Sequence, residues 1–98
     1  MIDEIEGVIV MVSDQEKALE FYTKKIGFAK KVDTMSSGFR WIVVGPRDSN
    51  AVISLVSPLF IKDRGESLDN LEKRIGQSTG IWFYSKNIAQ TYQELKSK

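Results

Sequence analysis

The sequence predicts an α+β fold built from strand-helix-strand-strand-strand modules, of which the second is incomplete. Three observations predict this fold. Short apolar runs rich in β-branched residues indicate strands, capping residues directly after two of these runs indicate helices, and the two ends of the chain repeat the same unit. A chain of 98 residues with 42% hydrophobic side chains can fill one core, so we expect a single domain.

The first strand-helix unit lies at the N-terminus. Residues 5–12 read IEGVIVMV, which is too short for a buried helix and is followed by Ser13 and Asp14, so this run predicts a strand. Asp14 is the expected N-cap of a helix, with Ser13 and Glu16 in an overlapping capping box. Gly27 supplies a left-handed C-terminal stop. An apolar stripe runs along the helix at Ala18, Leu19, Tyr22 and Ile26.

Three further extended segments follow and are separated by turn residues. They are predicted at residues 28–35, 39–45 and 51–57, and the apolar alternation is clearest in the second of them. Together they predict an antiparallel meander. Residues 58–79 carry Pro58 and many charged side chains, and we interpret them as a linker with one short helix after Ser67.

The second strand-helix unit begins near Gly80. Residues 81–85 predict a strand, and Asn87 is the expected N-cap of an amphipathic helix, with Gln90 at the capping-box position. A constant shift of 73 residues places Gly7 on Gly80, Asp14 on Asn87, and Leu19 and Tyr22 on Tyr92 and Leu95. The predicted division is therefore a first module over 1–57, a linker over 58–79 and a partial second module over 80–98.

Composition narrows the classes of partner and of cellular location. The 14 basic and 13 acidic residues nearly cancel, so no field attracts polyanions and we expect no nucleic-acid partner. Cysteine is absent, so no disulfide can form, which fits an intracellular protein. Residues 1–6 hold three acidic residues, where a signal peptide needs basic ones. No stretch approaches the roughly 20 apolar residues of a membrane span. We expect a cytoplasmic protein that does not bind membranes.

Several segments together resemble one known family. These are the strand ending in VSD, the helix QEKALEFYTKKIGF, the meander segments GFRWIVVG and AVISLVS, and the C-terminal GIWFYSKNIAQTYQELKSK. They resemble the glyoxalase, bleomycin-resistance and extradiol-dioxygenase superfamily, also called vicinal oxygen chelate proteins. The resemblance implies a glyoxalase-like fold, in which paired modules curl around a pocket where a divalent metal chelates the substrate.

The residues that the family uses as metal ligands are missing from this chain. The resemblance aligns the family's two histidine positions with Gly7 and Gly80, and its glutamate position on the fourth strand with Ser54. Zn²⁺ or Fe²⁺ needs imidazole, thiolate or several converging carboxylates, and the chain has neither histidine nor cysteine. We therefore predict no metal and no cofactor.

Strand alternation predicts which side chains share the face of Gly7 and Gly80. That face is apolar and aromatic, which suits a flat or hydrophobic small molecule. The alternative is that these residues fill the core or cover a dimer surface. The predicted ligand-binding residues are Ile9, Met11, Trp41, Ser54, Val56, Trp82 and Tyr84.

The repeat also implies that a second module would continue for three more strands beyond Lys98. Three interpretations are open: a fragment of a longer protein, strands supplied by a partner chain, or a tolerated half-open sheet. Since exposed strand edges favour pairing, we expect a homodimer.

The leading functional hypothesis is binding or sequestration of a small apolar or aromatic molecule between modules, without metal. A second hypothesis is a metal-dependent lyase, isomerase or dioxygenase whose ligands come from a further C-terminal segment or another chain. A third is a purely structural dimerisation module. No catalytic residue is assigned, and whether the chain catalyses a reaction stays open.

Overall fold

The computed structural model describes residues 1–61 and 67–98. The elements, in chain order, are β1 (Gly7–Met11), α1 (Gln15–Glu20) extended by a π-helical turn (Phe21–Lys25), β2 (Ala29–Ser36), β3 (Phe39–Gly45), β4 (Val52–Val56), α2 (Pro58–Ile61), α3 (Leu68–Lys73) and α4 (Ile88–Ser97). The strand-helix-strand-strand-strand order predicted for residues 1–57 is confirmed, with strand ends that differ from the prediction by one or two residues.

The four strands form one sheet in the order β1-β4-β3-β2. β2, β3 and β4 pair antiparallel, as the predicted meander requires, whereas β1 crosses over to pair parallel with β4. The register places Gly7 opposite Val52 and Ile9 opposite Ser54, and the backbone bond from Val12 N to Val56 O (2.9 Å) extends the pairing past β1. A parallel pair needs a crossover connection, and α1 with β2 and β3 supplies it.

Helix α1 begins and ends as its sequence predicts. Asp14 Oδ1 accepts a hydrogen bond from Lys17 N at 3.0 Å, which satisfies one of the free first-turn donors. After the π-helical turn, Gly27 adopts the left-handed conformation with φ of 89°, which a residue without a Cβ takes at little cost.

One face of the sheet packs beneath α1. Leu19 from the helix is buried against a cluster of sheet residues, and Val10, Val12, Ala18, Tyr22 and Phe28 pack around that cluster. The buried sheet residues of the cluster are Ile42, Val44, Ile53 and Leu55. Residues of opposite parity on β1, β3 and β4 therefore line the other face of the sheet.

The repeat is visible in the capping geometry of the second unit. Asn87 Oδ1 accepts from Gln90 N at 3.0 Å, which is the same bond, to the residue three positions on, that Asp14 makes. The helix itself is differently placed. Tyr92 and Leu95 are 59% and 42% exposed, whereas Leu19, at the position equivalent to Tyr92, is 8% exposed.

The strand predicted at residues 81–85 is not formed in the structure. This segment carries no strand pairing in the described part of the chain, and its residues precede α4 without joining the sheet. A segment becomes a strand only when its backbone hydrogen-bonds to a neighbouring strand, and the residue pattern of the segment cannot show whether such a neighbour is present. The linker predicted at residues 58–79 contains α2, which the sequence did not predict, and α3 after Ser67, which it did; its residues 62–66 lie outside the described residues.

Candidate functional site

The face of the sheet away from α1 forms an open hollow of about 490 Å³, here named the sheet hollow. Its lining residues are Glu6, Gly7, Val8, Ile9, Lys31, Val32, Trp41, Val43, Val52 and Ser54. They come from all four strands and the residue before β1. The lining is mainly aliphatic, with one indole ring, one hydroxyl and one charge of each sign, so it offers apolar contact with few polar groups.

A β-bulge in β2 decides which of its residues reach the sheet hollow. Lys30 pairs with Val44, but Val32 pairs with Val43, so Lys31 is an extra residue without a partner in the ladder. A bulge re-aims the residues that follow it. Lys31 and Val32 consequently both line the hollow, although they are adjacent in sequence. The Nζ of Lys31 donates a hydrogen bond to the carbonyl oxygen of Ser49.

Ser54 is the polar group in the middle of this face. It lies between Ile9 on β1 and Val43 on β3, and the residue is 7% exposed. Its hydroxyl has no hydrogen-bond partner within residues 1–61 and 67–98, and no side-chain polar atom in that part is fully enclosed without a partner. The Ser54 hydroxyl is therefore open to the sheet hollow, where a ligand can reach it.

Aromatic rings pack around Trp41, whose indole lines the sheet hollow. The ring centroids of Trp41 and Phe60 lie 5.7 Å apart, and those of Phe39 and Phe60 lie 5.6 Å apart at an interplanar angle of 84°. These spacings are typical of favourable aromatic pairs. Phe60 belongs to α2, so this short helix holds a ring against the same face of the sheet that carries the hollow.

Gly7 has a structural reason to be glycine. A Cβ at this position would lie 2.7 Å from Val52 Cγ2 and 2.7 Å from the Val52 carbonyl oxygen. Both distances are shorter than real Cβ contacts, and the second contact is with rigid backbone. A side chain at this position that could coordinate a metal would have a Cβ and would force β1 and β4 apart.

The described residues do not fit the metal that the family implies. Residues 1–61 and 67–98 contain no group of three His, Cys, Asp or Glu side chains that could hold a metal ion. Of the three positions in question, Gly7 and Ser54 line the sheet hollow and Gly80 does not. Two glycines and one hydroxyl supply neither imidazole nor carboxylate, so we derive no metal-dependent step.

The strongest ion pairs lie on the helix face, away from the hollow. Arg40 donates two hydrogen bonds of 2.8 Å to the Asp33 carboxylate and one of 2.6 Å to Glu16 on α1. The hydrogen bonds from Arg40 hold the pKa of Asp33 at about 2, below its usual value, and those from Asp33 and Glu16 raise the pKa of Arg40. These groups tie α1 to the β2-β3 hairpin.

The structure brings together three of the seven predicted ligand-binding residues. Ile9, Trp41 and Ser54 line the sheet hollow. Met11 lines a second hollow with Ile9, bordered by residues 76–79, and Val56 is enclosed at 1% exposure without lining either hollow. That these seven residues bind a ligand stays a prediction.

The two C-terminal aromatics lie differently from each other. Trp82 borders a groove beside β1, here named the β1 groove, which shares Glu6, Gly7, Val8 and Val52 with the sheet hollow. Tyr84 is 87% exposed and borders neither of them. Phe83, between them, meets Phe28 edge to face at 5.5 Å and so extends the core on the helix face.

Sequence reasoning missed several lining residues. Alternation from Trp41 would have found Val43, two positions further on β3. No local signal could have found Lys31, because the bulge is visible only in the register of β2 against β3. The contact of Phe60 with Trp41 was equally beyond local signals, because it depends on how α2 folds back towards β3.

Comparison with known proteins identifies the family to which this open sheet with its covering helix belongs. The model of the Glyoxalase/Bleomycin resistance protein/Dioxygenase superfamily matches residues 2–98. The chain belongs to this superfamily, which confirms the resemblance and the glyoxalase-like α+β fold.

Three relatives illustrate the similarity. The protein YurT of Bacillus subtilis (strain 168) is 48% identical over 93 residues, which are 91% of this chain and 69% of YurT. A superfamily member from Sphaerobacter thermophilus DSM 20745 has a TM-score of 0.79 at 29% identity, covering 98% of this chain and 71% of that chain. TnmS3, an antibiotic binding protein from Streptomyces sp. CB03234, has a TM-score of 0.76 at 24% identity, covering 98% and 70%. The last likeness shows the fold alone.

Membrane insertion has no support in the described helices. None of them, within residues 1–61 and 67–98, is long and apolar enough to cross a bilayer.

Proposed function

We propose that this protein binds or sequesters a small apolar or aromatic molecule in the sheet hollow, without a metal. The observation that carries the proposal is the composition of the hollow. Aliphatic side chains and the Trp41 ring form its walls, and its volume of about 490 Å³ falls within the range of small-molecule sites. The fold is compatible with this role, since TnmS3, described as an antibiotic binding protein, shares it.

Physical chemistry favours a flat ligand. The indole of Trp41 packs against Phe60 and also lines the hollow, so a ring placed in the hollow would contact this indole. An aromatic pair contributes about 0.5–1.5 kcal/mol beyond the area that it buries. The β1 groove adjoins the hollow, so a larger ligand would extend towards Trp82.

The test is a titration of the ¹⁵N-labelled 98-residue chain with naphthalene, biphenyl and indole, followed by amide correlation spectra and calorimetry. We expect at least one compound to bind with shifts concentrated at Gly7, Ile9, Val43 and Ser54. Trp41→Ala should weaken binding roughly 5-fold or more, as the loss of about 1 kcal/mol implies. Met35→Ala, which changes an exposed residue outside the hollow, is the matched control.

Either of two results would contradict the proposal. One is that no compound in the panel binds at concentrations up to its solubility. The other is that the shifts fall on the helix face, around Leu19 and Tyr22, and are unaffected by Trp41→Ala.

We also infer that the chain forms a homodimer through its C-terminal apolar group, defined as Trp82, Phe83, Tyr84, Ile88, Tyr92 and Leu95. Trp82 and Tyr84 are each 87% exposed. The four aromatics of the group alone expose roughly 400–700 Å², if a fully buried aromatic hides about 150–250 Å². A standard interface buries about 800 Å² per partner, so these four aromatics would supply half or more of it, and the exposed Ile88 and Leu95 add to that area.

We propose a second copy of this chain as the partner that covers the group, because the formal net charge of +1 gives two copies little mutual repulsion. Sedimentation velocity should show a dimer, and the double variant W82S/Y92S should shift it to monomer, while M35S, which changes an exposed residue outside the group, should not. A wild-type monomer at all accessible concentrations, or a double variant that dimerises normally, would contradict this proposal.

A further inference from the structure

The position of the Ser54 hydroxyl points to a finer description of the ligand. Ser54 stands on a central strand, is more than nine-tenths buried, and has no hydrogen-bond partner in the described part of the chain. A hydroxyl in such surroundings can donate one hydrogen bond and accept others. It is the one polar side chain of the sheet hollow that is both buried and uncharged.

The register fixes the backbone positions of Ser54 and Trp41 relative to each other. Ser54 is opposite Val43, and Trp41 lies two residues before Val43 on β3, so Ser54 and Trp41 are diagonal neighbours on one face. Diagonal neighbours in an antiparallel pair are separated by about 7–8 Å. Two fused six-membered rings have nearly this length. A fused-ring molecule lying on Trp41 can therefore present a substituent to Ser54.

The charges around the sheet hollow argue against an ionic ligand. Its charged lining residues are Glu6 and Lys31, one of each sign. The Lys31 ammonium already donates to the Ser49 carbonyl. A ligand charge of either sign would lose water and meet one attractive and one repulsive group, so it would gain little in return.

We propose that the sheet hollow selects a neutral, planar, fused-ring aromatic molecule that carries one hydrogen-bonding group, which bonds with the Ser54 hydroxyl while the rings lie against Trp41. This inference rests on the proposed function and adds the chemical class of its ligand. Trp41 supplies contact area for any flat apolar molecule. Ser54 favours molecules that carry a hydrogen-bonding group over those that lack one.

The experiment compares naphthalene, 2-naphthol and 2-naphthoate, which share one ring system and differ in the substituent. Dissociation constants are measured by calorimetry at neutral pH for the wild type, Ser54→Ala and the control Ser36→Ala. Ser36 lies on exposed β2 and does not line the hollow. Circular dichroism and the amide spectrum establish that each variant is folded.

We expect 2-naphthol to bind the wild type roughly 3- to 10-fold more tightly than naphthalene, as one net hydrogen bond provides. Ser54→Ala should abolish that preference while leaving naphthalene binding within about 2-fold. Ser54→Thr, which keeps the hydroxyl, should preserve the preference. The anionic 2-naphthoate should bind most weakly to the wild type.

The outcomes separate this inference from the proposed function. If naphthalene and 2-naphthol both bind in the hollow but Ser54→Ala weakens them equally or not at all, the ligand class is wrong and the binding function stands. Tightest binding by 2-naphthoate would also overturn the ligand class alone. If naphthalene and 2-naphthol fail to bind the wild type while biphenyl or indole binds in the hollow, the ligand class alone is overturned. If none of these compounds binds, both proposals are overturned.

Discussion

Replacing Gly7 with alanine should destabilise the protein, because the added methyl group has no room. Its Cβ would lie 2.7 Å from both Val52 Cγ2 and the Val52 carbonyl oxygen. Overpacking of this kind costs about 1–3 kcal/mol, whereas the lower entropy of the unfolded alanine chain returns about 0.4–1 kcal/mol. The net loss of unfolding free energy should be about 1–2 kcal/mol.

Thermal unfolding followed by circular dichroism measures this loss. At about 4–8 °C per kcal/mol for a domain of this size, Tm should fall by roughly 4–16 °C. Urea unfolding gives an independent free energy, and an unchanged denaturant slope would show that the native state kept its compactness.

A double-mutant cycle with Val52→Ala locates the cause. That change removes Val52 Cγ2 but leaves the carbonyl oxygen, so Gly7→Ala should cost less in the Val52→Ala background and still cost something. If Gly7→Ala is as stable as the wild type, the close approach of β1 and β4 is not the reason for glycine at this position. If the two changes are strictly additive, Val52 Cγ2 contributes nothing and the clash is with the carbonyl oxygen alone.

Three further predictions concern stability. Gln15→Leu should lower the unfolding free energy by about 1–3 kcal/mol in urea. The Gln15 Nε2 donates hydrogen bonds of 2.9 Å to the carbonyl oxygens of Arg40 on β3 and Leu55 on β4, which would lose this partner. An unchanged urea midpoint would contradict this prediction. The folded pKa of Asp33, about 2, lies below the usual 3.8, so Asp33 should contribute stability above pH 4 that disappears as the pH falls towards 2. Asp33→Asn should therefore flatten the decline of Tm over that interval. An equal slope in both proteins would refute this prediction. Leu71→Ala should cost about 2–5 kcal/mol, since Leu71 on α3 is 1% exposed, whereas Leu59→Ala on α2, at 45% exposure, should cost much less. Similar losses in the two variants would show that Leu71 is not enclosed.

Much of the fold could be predicted from local signals. The caps at Asp14 and Asn87 and the turn at Gly27 each depend on a few neighbouring residues, and all three were found from the sequence. The meander was predicted because its extended segments are separated by turn residues and apolar residues alternate with a period of two, most clearly in the second segment. Its strand bounds were accurate to one or two residues.

The candidate site was predictable only in part. Trp41, Ser54 and Ile9 share a face by parity, which the sequence contains. Lys31 reaches the hollow through a bulge, and Phe60 reaches Trp41 through the folding of α2, and neither depends on local pattern. The segment at 81–85 has the pattern of a strand, yet no described strand pairs with it.

The sequence by itself determined the type of each first-module element, the repeat between the two ends of the chain, and the lack of imidazole and thiolate for a metal site. Tertiary structure alone decided that Gly7 stands against Val52, that Lys31 is a bulge residue, and that the Ser54 hydroxyl opens into an apolar hollow. The physical reason is range. Caps and alternation arise from interactions within a few residues, whereas register and enclosure arise from strands that are distant in the chain and meet only when it folds.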